Sequence, residues 1–136
     1  SYLLSATVLG VMAQRLVRIL CPHCKQEHAA NAVEESMWDQ LVAPWKANRP
    51  ERFYRSVGCL ECRMTGFLGR VGLYEILMLS PDVKLAISEN KDIAKIRELA
   101  FREGMKPLRI AGAMKVAAGV TTLGEIFKVA PPIEHA

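Results

Sequence analysis

The chain has 136 residues, of which 51% are hydrophobic and 24% charged, and its formal net charge is +4. This composition predicts one folded domain and excludes an intrinsically disordered chain. The modest positive charge permits an acidic partner but does not require one. The longest apolar stretch, residues 2–13, is shorter than the about 20 residues of a membrane span, and no basic region precedes it as in a signal peptide. An apolar beginning without an initiator methionine indicates that the chain starts inside a larger protein.

The first predicted element is a helix over residues 6–20. Its apolar residues recur at helical spacing. They are Leu9, Met12, Leu16 and Ile19. The helix is expected to end before Pro22, because proline disfavours the helical conformation in the residue that precedes it.

The next stretch, residues 25–58, lies between two pairs of cysteines. Asn31 and Glu34 have the spacing of a helix cap and its reciprocal partner, which predicts a short helix over residues 32–42. Residues 43–56 are rich in proline, arginine and lysine and are predicted to form a loop.

An apolar run from Val71 to Leu79 predicts a β-strand. Both of its faces carry large apolar side chains, which is typical of a strand that is buried on both sides. Glu75 within this run then needs a partner, and Arg70 is the candidate.

From Pro81 onward the pattern predicts four helices. Their predicted caps include Ser80, Asp92 and Thr122. Gly104 and Gly119 are expected to end the second and third of these helices.

Four cysteines form two C-x2-C pairs separated by the 34 residues 25–58. They are Cys21, Cys24, Cys59 and Cys62. Each pair makes a tight turn that directs two thiolates to one point, and four thiolates complete a tetrahedral zinc shell with no position open for catalysis. The separation is long for a zinc ribbon but acceptable, since the entropy of loop closure grows slowly with length. The sequence therefore predicts one structural zinc ion.

Two other functions remain open for the cysteine region, a thiol–disulfide redox site and a nucleic-acid-binding site. Cys21-Pro22-His23-Cys24 has the sequence of a disulfide-oxidoreductase site, although such a site lies at a helix N-terminus after a strand and the predicted context differs. The alternative of four unrelated buried thiols does not explain the paired spacing.

The second of these functions is that of a nucleic-acid-binding zinc ribbon. It would account for the basic pI and for a cluster in which aromatic residues stand among arginines and could stack bases. The cluster comprises Arg52, Phe53, Tyr54, Arg55 and Arg63. Packing of the two aromatic side chains beneath the zinc loop would explain the same residues without nucleic acid.

Three stretches stand out beside the cysteines. Gln-Arg-Leu-Val-Arg at 14–18 leads into the first cysteine pair, Thr-Gly-Phe-Leu-Gly-Arg-Val-Gly-Leu-Tyr-Glu at 65–75 follows the second, and residues 104–122 run to Gly-Val-Thr-Thr. These stretches resemble the traffic ATPases of type II secretion and type IV pilus assembly, the general secretory pathway protein E group, with residues 104–122 similar to the family's ending. The resemblance implies an α+β fold, in which a zinc-knuckle subdomain with short strands joins a helical C-terminal part of a RecA-like motor domain.

The same resemblance implies a domain division. Residues 1–20 and 66–130 would form the truncated part of the motor domain, residues 21–65 the four-cysteine insertion, and residues 131–136 a frayed tail. No P-loop is present, because the nearest match, residues 119–124, lacks the lysine and the serine or threonine that bind phosphates and Mg²⁺. The chain by itself is therefore expected not to be an enzyme, with ATP and Mg²⁺ bound only by a full-length parent.

For that parent, the family implies a cytoplasmic homo-hexamer at the inner face of the bacterial inner membrane. It would hydrolyse ATP to drive pilin or pseudopilin assembly and protein secretion. The implied partners are membrane platform proteins and neighbouring subunits, with no nucleic acid. Arg70 is the candidate for reaching the nucleotide in the intact protein.

Overall fold

The computed structural model describes residues 10–43, 45 and 47–130 of the chain. They form four strands and five helices in an α+β arrangement. The strands are β1 Gly10–Leu20, β2 Gln26–Ala29, β3 Arg52–Arg55 and β4 Phe67–Met78. The helices are α1 Ala32–Val42, α2 Pro81–Ser88, α3 Ile93–Arg102, α4 Leu108–Ala117 and α5 Leu123–Val129. Two antiparallel two-stranded sheets result, β1 with β4 and β2 with β3.

The prediction of a first helix over residues 6–20 is wrong for the part that the structure describes, and its residues 6–9 lie outside that part. The described residues form strand β1, in which Gln14 pairs with Tyr74, 60 residues further along the chain. Val17 faces the core while its neighbours Leu16 and Arg18 are exposed. The helical spacing of a few apolar residues was misleading because pairing with a distant strand decided the conformation.

The predicted loop over residues 43–56 also contains a strand. Strand β3 pairs with β2 so that Phe53 lies opposite His28, and the Phe53 side chain is buried. A four-residue strand with an arginine at each end carries little local signal. The preceding helix α1 is confirmed, because Asn31 and Glu34 cap each other's backbone as expected.

Strand β4 is confirmed, but it is not buried on both faces. Leu73 and Glu75 are buried, whereas Ile76 on the other face is 47% exposed. The partner of Glu75 is Arg97, whose Nη2 donates to the carboxylate at 2.8 Å. Arg70 cannot take that place, because residues five apart in a strand point to opposite faces.

The predicted caps of three C-terminal helices are confirmed. The side chains of Ser80, Asp92 and Thr122 each accept a hydrogen bond from the backbone N–H three residues later. Gly104 and Gly119 follow α3 and α4 with positive φ, as expected for residues that end helices. The predicted frayed tail, 131–136, lies outside the described residues. No helix in the described part of the chain has the length and apolar character needed to cross a bilayer.

One hydrophobic core joins the segment between the cysteine pairs to the C-terminal helices. Its largest buried members come from β1, α1, β3, β4, α4 and α5, and include Val17, Trp38, Leu41, Phe53, Leu73, Leu108, Val116 and Ile126. A smaller cluster of Leu79, Val83 and Ile96 holds α2 against α3. The division into a motor part and a 21–65 insertion stays a prediction, and the two parts share this core.

Replacing Gly112 by alanine is expected to lower the free energy of unfolding by about 1–3 kcal/mol, because the added methyl group overfills the core. Gly112 lies where α4 packs on α5, and a Cβ there would stand 2.6 Å from Cγ2 of the fully buried Ile126. Gly124→Ala is the matched control, since the nearest atom to its Cβ is 3.9 Å away. The control should leave stability unchanged or raise it by up to about 1 kcal/mol. Urea unfolding followed by tryptophan fluorescence measures both, and equal effects would contradict the packing argument.

Candidate metal centre

The four cysteine sulfurs meet at one point although two of them are distant in sequence from the others. The Sγ atoms of Cys21 and Cys59, of Cys24 and Cys62, and of Cys59 and Cys62 are each 3.8 Å apart. All four sulfurs lie within 4.8 Å of one another. A tetrahedron with Zn–S bonds of about 2.3 Å has edges of about 3.8 Å. The sulfurs therefore have the spacing of a closed four-thiolate zinc site, and the cysteines are not joined as disulfides.

The first turn of the centre leaves directly from the end of β1. The carbonyl oxygen of Cys21 accepts hydrogen bonds from the backbone N–H of Cys24 at 3.4 Å and of Lys25 at 3.0 Å. The N–H of Cys21 donates to the carbonyl of Gly66 at 3.0 Å. That bond holds the first cysteine pair against the segment that follows the second pair.

The second turn contains three residues with positive φ, a backbone conformation that residues other than glycine rarely adopt. Arg63 and Met64 have φ of 55° and 65°, and Gly66 has φ of 82°. The N–H of Met64 donates to the carbonyl of Cys59 at 2.8 Å, and the hydroxyl of Thr65 donates to the carbonyl of Cys62. A Cβ on Gly66 would lie 2.5 Å from the Cβ of Ser56, so the site requires glycine at this position.

Backbone N–H groups donate hydrogen bonds to two of the four sulfurs. Gly58 donates to Cys24 at 3.3 Å, while the N–H groups of Cys59 and Gly66 donate to Cys62 at 3.3 and 3.2 Å. Burial raises the pKa of the Cys62 thiol, but these two donors and the neighbouring thiols outweigh it and lower that pKa to about 6. For Cys59, a backbone hydrogen bond with Cys62 lowers the pKa, yet burial and the other thiols raise it to about 11. Cys62 is thus best prepared as a thiolate, the form that binds metal.

The turn between α4 and α5 is bonded to the strand and turn that carry the first cysteine pair. The carbonyl of Val120 accepts from the N–H of Leu20 at 2.8 Å, and Thr121 Oγ1 donates to the carbonyl of Arg18 at 2.7 Å. Lys25 Nζ donates to the carbonyl of Gly119, also at 2.8 Å. These contacts were missed in the sequence, where only the helix-ending role of the glycine was visible.

The structure gives neither cysteine pair the surroundings of a redox site. The Cys21–Cys24 turn follows strand β1, not the expected helix, and leads into strand β2, so no helix N-terminus stabilises a reactive thiolate there. His23 is exposed, and His28 is bound to Glu34 at 2.7 Å. Neither histidine belongs to the sulfur cluster.

Both aromatic residues offered for base stacking contact other residues of the protein. Phe53 is buried in the core, and the hydroxyl of Tyr54 donates to Glu27 at 3.0 Å while Lys25 lies over its ring. Arg52 also pairs with Glu27. Contacts within the protein therefore account for both aromatic residues of this cluster.

Arg70 is not part of the metal centre. It lies opposite Arg18 in the β1–β4 ribbon and its side chain is exposed. Within the described part of the chain it has no ion pair, because Glu75 is bound to Arg97.

Replacing Gly66 by alanine is expected to weaken zinc binding by at least about tenfold and to lower stability by about 2 kcal/mol more than the control. The matched control is Gly69→Ala, because Gly69 has nearly the same φ of 84° but its nearest neighbour, Ile19, would be 3.7 Å from the new Cβ. The control carries the backbone strain without the clash against Ser56. Competition with a chelator of known zinc affinity measures the effect, and equal losses in the two variants would contradict the argument.

Comparison with known proteins shows the family to which this chain belongs. The model of the type II/IV secretion system protein family matches residues 1–128. The chain belongs to this family. It is 42% identical over 130 residues to the type IV pilus assembly ATPase TfpB of Acinetobacter baylyi, a match that covers 96% of this chain and 22% of that protein. It is 38% identical over 129 residues to type II secretion system protein E of Klebsiella pneumoniae, covering 94% of this chain and 24% of the relative.

The type IV pilus assembly ATPase PilB of Thermus thermophilus is 37% identical over 124 residues, which are 91% of this chain and 14% of the relative. The chain thus spans about a quarter or less of the length of these relatives. The resemblance that was seen in the sequence is confirmed, and it extends over almost the whole chain.

Proposed function

We propose that this chain is the zinc-bearing C-terminal region of a secretion or pilus-assembly ATPase. The observation that carries the proposal is the four-sulfur cluster, with 3.8 Å spacings, inside a chain that belongs to the secretion family. The cysteines Cys21, Cys24, Cys59 and Cys62 would hold one zinc ion. Four thiolates leave no position for water or substrate, so the ion is structural rather than catalytic.

The zinc would connect the ends of all four strands, and so would hold the two small sheets together. Strand β1 ends immediately before the first cysteine pair and β2 begins after it; β3 ends before the second pair and β4 begins after it. Two-stranded sheets are marginal by themselves. Structural zinc supplies an apparent binding energy of about 10–16 kcal/mol, which is ample to hold such ends together.

The longer protein would be the motor. Relatives are named as pilus-assembly ATPases and type II secretion proteins, which supports an ATPase parent. In this proposal ATP and Mg²⁺ bind outside this chain, in the rest of a RecA-like motor domain to which residues 1–20 and 66–130 contribute the C-terminal part. In this proposal the parent is a cytoplasmic homo-hexamer at the inner face of the bacterial inner membrane. This region would contact the membrane platform or the neighbouring subunit while pilins or pseudopilins are assembled.

Arg70 is the side chain proposed to reach the nucleotide in the intact protein. The competing role, pairing with the buried Glu75, is taken by Arg97. An exposed guanidinium without an ion pair among the described residues is available to phosphate oxygens.

The experiment is made on the full-length ATPase. We expect one zinc per chain by elemental analysis and steady ATP turnover, with turnover reduced by Arg70→Ala but not by Arg102→Ala, an exposed arginine at the end of α3. Cells that lack the gene should regain secretion or pilus assembly with the wild type and not with Cys24→Ser. The isolated 136-residue chain should show no ATP turnover. A zinc-free wild-type protein with full activity would contradict the structural role of the metal.

A further inference from the structure

Arg109 is a half-buried arginine on helix α4 that the fold leaves without an anionic partner. In the described part of the chain no carboxylate binds its side chain, and its Nε atom is buried without a hydrogen-bond acceptor. Arg97 is half-buried to a similar degree, but its guanidinium binds the buried Glu75. Arg109 therefore differs from an arginine that serves the packing of the fold.

The surroundings of Arg109 make its positive charge unfavourable. Burial lowers the pKa of the Arg109 guanidinium below its usual range, because the charge has lost part of its water and no anion replaces it. An arginine nevertheless keeps its proton at neutral pH. A cation that is shielded from water and lacks a counter-ion lowers the stability of a protein. Stability thus gives no reason for a charge at this position, which points to a ligand from outside the fold.

The contacts of Arg109 leave its outer nitrogens available to such a ligand. Its Cζ lies over the ring of Phe127 on α5, 4.9 Å from the ring centre, and Phe127 is itself half-buried against the core. The two Nη groups are not among the buried polar atoms, so they can donate to an acceptor that approaches from solvent. Arginine and aromatic side chains are the residues enriched at the centres of protein interfaces.

The chemistry of the site fits a carboxylate of a protein. A guanidinium can donate two parallel N–H bonds to one carboxylate. Nucleic acids and anionic membranes are bound by several cations together, whereas here one arginine lies over one aromatic ring. Lys128, the cation next to Phe127 in the chain, is already bound to Glu125.

We propose that Arg109 and Phe127 bind an aspartate or glutamate side chain of the membrane platform protein, in a contact that forms and separates. This inference rests on the proposed function, in which the region contacts the platform or the neighbouring subunit. Permanent interfaces are more apolar, whereas interfaces that separate are as polar as the rest of the surface. A half-buried charge without a partner in the fold therefore favours the platform over a neighbouring subunit of a stable hexamer.

The test measures how the full-length ATPase binds inner-membrane vesicles from cells that contain or lack the platform protein. Arg109→Met removes the charge and keeps an apolar side chain of similar length beside Phe127. The control is Arg102→Met, because the Arg102 side chain is 70% exposed on α3. We expect Arg109→Met to bind the platform-containing vesicles at least about tenfold more weakly than the wild type, and Arg102→Met to bind them as the wild type does. Arg109→Lys should bind with intermediate strength, since it keeps the charge without the two parallel bonds.

Melting temperature and zinc content separate a role in partner binding from a role in the fold. The Arg109→Met protein should keep its zinc and melt within about 2 °C of the wild type, because the fold loses no ion pair. A larger fall in melting temperature would show that the acceptor belongs to the same polypeptide, and the proposal would then be wrong.

Three binding results would also overturn the proposal. Arg109→Met protein that binds as tightly as the wild type would show that the arginine does not contact the platform. Equal losses in Arg109→Met and Arg102→Met would show a general attraction between cations and the membrane. Wild-type protein that binds both kinds of vesicle equally would exclude the platform protein as the partner. Zinc content and ATP turnover of the wild type test the proposed function separately.

Discussion

Replacing Cys62 by serine is expected to abolish zinc binding and to lower the free energy of unfolding by about 5 kcal/mol or more, the largest effect of any single substitution considered. Cys62 is 4% exposed, lies 3.8 Å from the sulfurs of both Cys24 and Cys59, and receives two backbone N–H donors. A serine hydroxyl is a poor zinc ligand and would leave three thiolates in close contact. Zinc content by elemental analysis and urea unfolding measure the two effects.

The control for this substitution lies in the first turn. His23→Ala removes an exposed imidazole that does not belong to the sulfur cluster, so zinc content should be unchanged and stability should shift by less than about 0.5 kcal/mol. A Cys62→Ser protein that retains one zinc per chain and its wild-type stability would disprove the proposed ligand set.

Loss of the metal is expected to spread beyond the segment between the cysteine pairs. The backbone N–H groups of Leu20 and Cys21 donate to Val120 and Gly66, so their hydrogen exchange should accelerate in the Cys62→Ser protein, and the α4–α5 turn should loosen with them. The α2–α3 pair has its own small core and should keep its protection. Loosening confined to residues 21–65 would show that the shared core does not transmit the change.

Replacing Glu125 by glutamine is expected to lower the free energy of unfolding by about 2–3 kcal/mol. Glu125 is 5% exposed and joins α5 to β1. Its Oε1 accepts from Nε and Nη2 of Arg18 at 3.0 and 2.7 Å, and its Oε2 accepts from the Arg18 backbone N–H at 3.0 Å. A neutral amide loses the charge attraction and cannot satisfy all three donors. The Arg18 side chain is partly exposed, so water can bind the guanidinium in the variant and reduce the loss of unfolding free energy.

The same substitution should change how stability depends on pH. Burial raises the pKa of Glu125, but the hydrogen bonds from Arg18 and Lys128 outweigh burial and hold that pKa below its usual value of 4.5. The stabilisation is therefore complete above pH 4.5 and is lost as pH falls through the lower pKa of the folded state. The difference in unfolding free energy between the wild type and Glu125→Gln should shrink in that acid range, and acid loss of zinc, common to both proteins, cancels in this difference.

Lys128→Gln is the control for the ion pair. Lys128 touches the same carboxylate at 3.3 Å, but its side chain is 65% exposed, so its removal should cost less than about 0.5 kcal/mol. If Lys128→Gln and Glu125→Gln were equally destabilising, the bonds to Arg18 would not be the source of the effect.

The sequence by itself determined the features that depend on neighbours within a few residues. Asn31, Ser80, Asp92 and Thr122 cap helices through backbone groups three residues away, so each cap could be predicted from its local spacing. The two C-x2-C pairs predicted a four-thiolate site for a similar reason, since each pair forms its own turn and a closed metal shell needs two of them.

Only the tertiary structure decided the strands and the partners of buried charges. Residues 10–20 form strand β1 because they pair with β4, and residues 52–55 form β3 because they pair with β2. Neither pairing could be predicted from the residues of β1 or β3 alone. Glu75 binds Arg97, which comes from a helix, instead of the nearby Arg70 on the opposite face. Helix caps and cysteine turns are closed by local hydrogen bonds and local geometry, whereas strand pairing and charge pairing depend on contacts between residues far apart in the chain, which only the folded molecule brings together.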